Sequence, residues 1–109
     1  MATIKLNWTD QADNETEFKV YKGATPTLTN QSEEVCQLVY NGSNWTLQTS
    51  NNSISNMSLL STNGSQALDN ERFRIEFEDS STGLTYYGVS ASNGAGESDV
   101  VPISEGLNI

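Results

Sequence analysis

The chain has no histidine and only one cysteine in its 109 residues. Without histidine, His-based catalytic triads are excluded, and so are nearly all zinc sites. With Cys36 alone, no disulfide can close within the chain. The run Val35-Cys36-Gln37-Leu38-Val39 reads as a place for a small buried thiol and not for a reactive one. Basic residues are equally scarce: Lys5, Lys19, Lys22, Arg72 and Arg74 stand against 14 carboxylates, for a net charge of −9. A phosphate backbone is gripped by clustered cations, and none cluster here, so nucleic acid is excluded as a partner. The same deficit excludes anionic membrane surfaces, and the acidic excess reads as solubility. No apolar run approaches the roughly 20 residues of a membrane-spanning helix. Nothing ahead of Trp8 has the form of a signal peptide, so synthesis in a cytoplasm without the usual export route is expected.

What the chain does contain is Asn, Ser and Thr, with aromatic and aliphatic residues in short alternating runs. The length suits one domain, residues 1–109, with a single core. In Thr3-Ile4-Lys5-Leu6-Asn7-Trp8, Ile4, Leu6 and Trp8 share one face of a strand. The polar stretch from Thr9 to Thr16 reads as a loop. Phe18 and Val20 share a face in the next strand, which puts Lys19 and Tyr21 toward solvent; Gly23 and Pro26 end it. From Glu71 to Asp79, Phe73, Ile75 and Phe77 line one face, and Arg72, Arg74, Glu76 and Glu78 the other. Tyr87, Val89 and Ala91 line the following strand. A turn at Gly94 and Gly96 leads into a last strand over 99–104, with Pro102 tolerable only on an edge. Short strands at this spacing, with no amphipathic helix, predict an all-β antiparallel sandwich. Its expected core is Trp8, Phe18, Val20, Phe73, Ile75, Phe77, Tyr87, Val89 and Ala91.

Between Ala24 and Asn70 the periodicity weakens. Val35 to Tyr40 and Trp45 to Thr49 predict a hairpin around Asn41-Gly42. Ile54, Met57, Leu59 and Leu60 have helix-like spacing, but the surrounding Ser and Asn favour an irregular segment. Asn-x-Ser/Thr triplets begin at Asn7, Asn14, Asn30, Asn41, Asn44, Asn51, Asn56 and Asn63. In a chain without an export signal they follow from composition. Abundant Asn, Ser and Thr with few lysines also suits a protein that spends its life outside a cell.

Two pieces of the chain, Trp8 to Tyr21 and Tyr86 to Ser98, together resemble a fibronectin type III or immunoglobulin-like module. In that resemblance Trp8 is the inward tryptophan of strand B, and Phe18 and Val20 are the inward pair of strand C. Val89-x-Ala91-x-Asn93-x-x-Gly96-x-Ser98 is strand F with its turn into G. It implies a fibronectin type III-like β-sandwich that departs from the pattern in three ways. Strand A is missing or replaced, which leaves the edge of strand B without a partner; the 35–49 hairpin or a neighbouring chain is expected to cover it. The corner before strand F is shortened to Thr82-Gly83-Leu84-Thr85-Tyr86-Tyr87, with Thr85 at the place of the corner tyrosine and Tyr86 as its stand-in. The connection between strands C and E is long enough to hold an extra hairpin.

Candidate sites are few. Asp10, Asp13 and Glu15, with Asn14, could ligate calcium but lack the alternating ligands and turning glycine of a dedicated loop, so no metal or cofactor is expected. Glu76, Glu78 and Asp79 could be offered as acid and base, as could Asp69 and Glu71. Carboxylates on a solvated strand face are not poised for proton transfer, and no catalytic residues and no enzyme activity are expected. Tyr21, Tyr40, Trp45 and Tyr86 could meet a glycan or a protein surface, with Trp45 also suited to pack beneath the long connection. The Gly94-Ala95-Gly96 turn joins two strands and has no phosphate-binding context.

The resemblance implies a non-enzymatic structural or interaction protein of a virus particle. A bacteriophage capsid decoration protein or a small neck or tail protein fits it, bound to other virion proteins in a homo-oligomeric or symmetric assembly. The expected location is then the virion, reached from a host cytoplasm. The alternative is a bacterial surface or secreted module that binds polysaccharide or protein, located outside the cell. Ile4, Trp45, Leu107 and Ile109 are the candidate interface residues. The tail 105–109 is expected to dock on a neighbour, and its removal to weaken assembly while leaving the fold largely intact.

Overall fold

The computed structural model of the chain describes residues 2–9, 16–42, 44–61, 72–104 and 106–108. They form an antiparallel β-sandwich, with no helix among the described residues. One sheet has three strands: β1 (Ala2–Thr9), β6 (Arg72–Asp79) and β5 (Ile54–Ser61), in the order β1-β6-β5. The other follows the path β10-β7-β2-β3-β4. Its strands are β2 (Glu17–Gly23), β3 (Glu33–Tyr40), β4 (Trp45–Gln48) and the long β7 (Leu84–Asn93). Three two-residue strands line the far side of β7 in turn: β8 (Gly96–Glu97), β9 (Val101–Pro102) and β10 (Leu107–Asn108). The arrangement is compatible with an immunoglobulin-like or fibronectin-like sandwich, in which two antiparallel sheets close over one core.

Alternation decides which side chains meet. β1 faces β6 in strict register, Ile4 to Phe77, Leu6 to Ile75 and Trp8 to Phe73, so both strands turn the same apolar set inward. β2 and β7 pair Phe18 with Ala91 and Val20 with Val89. The inward faces close into one cluster containing Ile4, Leu6, Trp8, Phe18, Val20, Leu38, Phe73, Ile75, Phe77, Tyr87 and Val89, with Ala91 packed at its margin. Four of its aromatic residues, Trp8, Phe18, Trp45 and Phe73, gather toward one end. Trp8 stacks on Phe73 at 5.6 Å, Phe18 lies 4.8 Å from Phe73, and Trp45 meets Phe73 edge-on at 5.1 Å. Such offset and edge-on contacts are the favoured ones for rings.

Several expectations need correcting. The segment around Ile54 to Leu60 is a strand, not an irregular stretch. Its helix-like spacing comes from register shifts between Ser55 and Ser58 and between Leu59 and Ser61, with Asn56 at φ 53°. Each extra residue of a bulge advances the inward face by one position, which breaks the period of two. Tyr21 does not face solvent but is 3 % exposed. The β2–β3 register slips between Val20 and Tyr21, and the Tyr21 hydroxyl donates to Glu97 Oε2 at 2.7 Å. The β3–β4 hairpin does not cover β1; it extends the opposite sheet. The expected final strand over 99–104 is shortened to β9, with Pro102 on the outer edge beside Gly88, and β8 precedes it. No tyrosine corner of the expected kind forms through Tyr86. It is Tyr87 that reaches across, and to the carboxylate of Asp79.

Candidate interaction surface

At the end of the core opposite the aromatic cluster, the same alternation brings polar groups inward. Continuing the inward sets one step gives Lys22 after Phe18 and Val20, and Asp79 after Phe73, Ile75 and Phe77. Six residues of strand separate Phe73 from Asp79, about 20 Å at ~3.3 Å per residue. Lys22 is 5 % exposed and Asp79 fully buried. Lys22 Nζ donates to Asp79 Oδ2 at 2.9 Å and Oδ1 at 3.2 Å, to Ser81 Oγ at 2.7 Å and to Ser53 Oγ at 3.3 Å. Asp79 also accepts from the Tyr87 hydroxyl at 2.8 Å and from the Ser81 backbone amide at 2.8 Å. Glu33 Oε2, half exposed at the rim, lies 3.6 Å from Lys22 Nζ. Burial alone would raise the Asp79 pKa, but the hydrogen bonds from the Ser81 amide, Lys22, the Ser81 side chain and Tyr87 outweigh it and hold the carboxyl below its ordinary value. Burial, with Asp79 alongside, pushes the Tyr87 phenol up.

This cluster ties the two sheets together, because Asp79 belongs to β6 while Lys22 and Tyr87 belong to β2 and β7. Both carboxylate oxygens and the ammonium already have partners from within the chain. That is the pattern of a structural ion pair, in which satisfied hydrogen bonds offset the cost of burying charge. A second group lies on the outer face, where Glu97 Oε2 accepts from Tyr21 and through a short bond from Ser90. Burial raises the Glu97 pKa, and the bonds from Ser90 and Tyr21 more than reverse it. Burial and nearby Glu34 push the Cys36 thiol up to about 12.

Two concavities among the described residues are small and polar. One of about 160 Å³ lies along β3 and β4 between Glu34 and Ser50; another of about 190 Å³ opens beside Lys22, Glu33 and Thr85. Pockets for small molecules run from roughly 300 to 1,000 Å³ and are mostly apolar. Among the described residues no group of three or more His, Cys, Asp or Glu is arranged to hold a metal. Asp10, Asp13, Glu15, Asp69 and Glu71 lie outside the described residues. Glu76 and Glu78 are half-buried on β6, beside Lys5 and Thr3 of β1.

The sheet edges differ more than the pockets do. β4 is a four-residue edge. β5 is bulged twice. The edge beyond β7 is cut into three two-residue pieces and carries Pro102. Short strands, bulges and proline are the devices by which proteins blunt an edge. β1 has none of them. It runs eight residues in unbroken register with β6, and no described residue pairs with its other side. Thr3, Lys5 and Asn7 are exposed along it.

The four candidate interface residues fare differently. Ile4 and Trp45 are 3 % and 8 % exposed and belong to the core, so their side chains have no area left for a partner. Ile4 contributes only the backbone of the open edge. Leu107 is half-buried against the core of its own chain, in a strand that pairs with Thr85 of β7. Ile109 lies outside the described residues. Of the aromatic candidates, Tyr40 and Tyr86 are half-buried, with Tyr40 packed on Trp45 at 5.2 Å. The Lys22–Asp79–Tyr87 cluster was missed in the sequence, although alternation carried two residues past Val20 and Phe77 would have placed Lys22 and Asp79 on the inward faces. No protein-family model, curated protein or solved structure matches the chain.

Proposed function

We propose that the chain is a non-enzymatic interaction module of a virus particle, a bacteriophage capsid decoration protein or a small neck or tail protein that binds other virion proteins. The observation that carries this reading is the β1 edge, the one long strand edge among the described residues left without a bulge, a proline or a partner. An open edge of this kind is a template for strand pairing with another chain. The finer likeness to a fibronectin type III module supports it through Trp8, Phe18 and the Val89 to Ser98 run, and a fold alone does not assign a function. The internal partners of Lys22, Asp79 and Glu97 also support a binding role over a chemical one, since these described groups are taken up by partners within the chain. Mass spectrometry of purified particles tests the proposal. Peptides of this chain at a fixed ratio to the major capsid or tail protein are the expected result; their absence from particles whose genome encodes the chain would reject it.

A further inference from the structure

We infer that the partner of the β1 edge is a second copy of this chain, joined β1 to β1 in antiparallel fashion about a two-fold axis. The inference rests on the reading of the edge as an interaction surface and adds the identity of its occupant. An antiparallel edge is its own complement: a two-fold axis normal to the sheet places each unpaired N–H and C=O opposite its counterpart in the other copy. The result would be a continuous six-stranded sheet in the order β5-β6-β1-β1-β6-β5.

Charge favours a second copy at this place and disfavours it elsewhere. The strands β1, β5 and β6 carry Lys5, Arg72 and Arg74 against Glu76, Glu78 and Asp79, three charges of each sign. The whole net charge of −9 therefore lies on the remainder of the chain. Asp79 is buried against Lys22, so the described charges left toward solvent on this sheet are Lys5 and Arg74 beside the half-buried Glu76 and Glu78, and two copies meeting here bring balanced charges together. Copies meeting through the other sheet would bring its carboxylates close to one another.

Alternation and charge also select the register. Ile4, Leu6 and Trp8 face inward in both copies, so an even-numbered residue must oppose an even-numbered one. A pairing centred on Lys5 would set two ammonium groups against each other, and like charges directly opposite are destabilising. A pairing centred on Ile4 leaves the far end of the strand, out to Thr9, without a partner. The pairing centred on Leu6 uses every residue from Thr3 to Thr9 and sets Lys5 opposite Asn7 of the second copy, twice across the axis.

That opposition gives a test with a sign. Sedimentation equilibrium over a range of concentrations should show association of the full chain from 11.9 kDa to about 24 kDa, the mass of a two-fold dimer. Asn7→Lys should raise the dissociation constant roughly two- to thirty-fold, from two like-charge pairs across the axis, and Asn7→Glu should lower it by a comparable factor. Both variants are also melted at concentrations where they are monomeric, which separates pairing with the second copy from pairing with Arg74 on β6. Hydrogen exchange should show the slowing on association confined to β1 amides. A single-chain mass at all concentrations up to about 1 mM, or a dimer whose affinity ignores the charge at residue 7, overturns self-pairing. Either result leaves the virion reading to be judged by particle composition, and absence from particles leaves self-pairing untouched.

Discussion

Lys22 and Asp79 face inward from opposite sheets, and each without the other would be a bare charge in a core. Removing one member of a buried pair costs about 3–5 kcal/mol, whereas replacing both with apolar groups of similar volume is often neutral or better. Lys22→Met and Asp79→Leu should each be strongly destabilising in equilibrium denaturation, and the double variant should recover most of the loss. If the two single losses simply added, the pair would not be coupled. The pair also sets acid sensitivity. The folded-state pKa of Asp79 is lowered, so its stabilisation is complete above the unfolded value of about 3.9 and is lost as pH falls through the folded value. Denaturation midpoints should thus fall below about pH 4 in the native chain, with the Asp79 share of that slope missing from the double variant. At the aromatic end, Trp8 packs against both Phe73 and Phe18. Trp8→Ala should cost about 3–5 kcal/mol by urea denaturation, since a ring of that size leaves a cavity that its neighbours cannot fill. A loss under ~1 kcal/mol would place Trp8 outside the core.

Among the elements, β10 changes an expectation about truncation. Leu107 pairs with Thr85 and packs on the core, while Gly106 lies so close to the Tyr86 ring that a Cβ there would come within 2.8 Å of it. Deleting residues 105–109 should lower the thermal midpoint measurably, because it strips a strand from β7 and uncovers apolar surface. An unchanged midpoint would mean that β10 contributes little. The strands with uninterrupted alternation, β1, β6 and most of β7, were legible from Ile4-Leu6-Trp8, Phe73-Ile75-Phe77 and Tyr87-Val89-Ala91 alone. β5 was not, because Asn56 and its bulge shift the inward face midway and imitate a helical period. Leu28 was equally hidden. It is buried because it closes with Val100 over Gly88, a tertiary contact with no local pattern. The open β1 edge was legible as a missing strand. Tyr87 at Asp79 was not, because alternation places Tyr87 inward with Val89 and Ala91 but carries no sign of which group on the other sheet its hydroxyl meets.

For the whole molecule, the Cα radius of gyration of 13.1 Å is about that of a folded chain of 100 residues. Its charge is divided between three strands, β1, β5 and β6, that carry as many cations as carboxylates and a remainder that holds the acidic excess. One consequence concerns Cys36, which is 1 % exposed within β3 and has its pKa pushed up to about 12. A thiol reacts as its anion and only where reagent can reach it, so chemistry at this sulfur becomes a clock for breathing of the sandwich. At pH 8 an aromatic disulfide reagent should modify the folded protein far more slowly than the urea-unfolded chain. Where reclosing is slow, the rate should become independent of reagent concentration and equal the opening rate. Modification of the folded protein at the speed of a free thiol would show that β3 parts from its neighbours without global unfolding. Otherwise, a spectrophotometer and one cysteine can time how often the two sheets come apart.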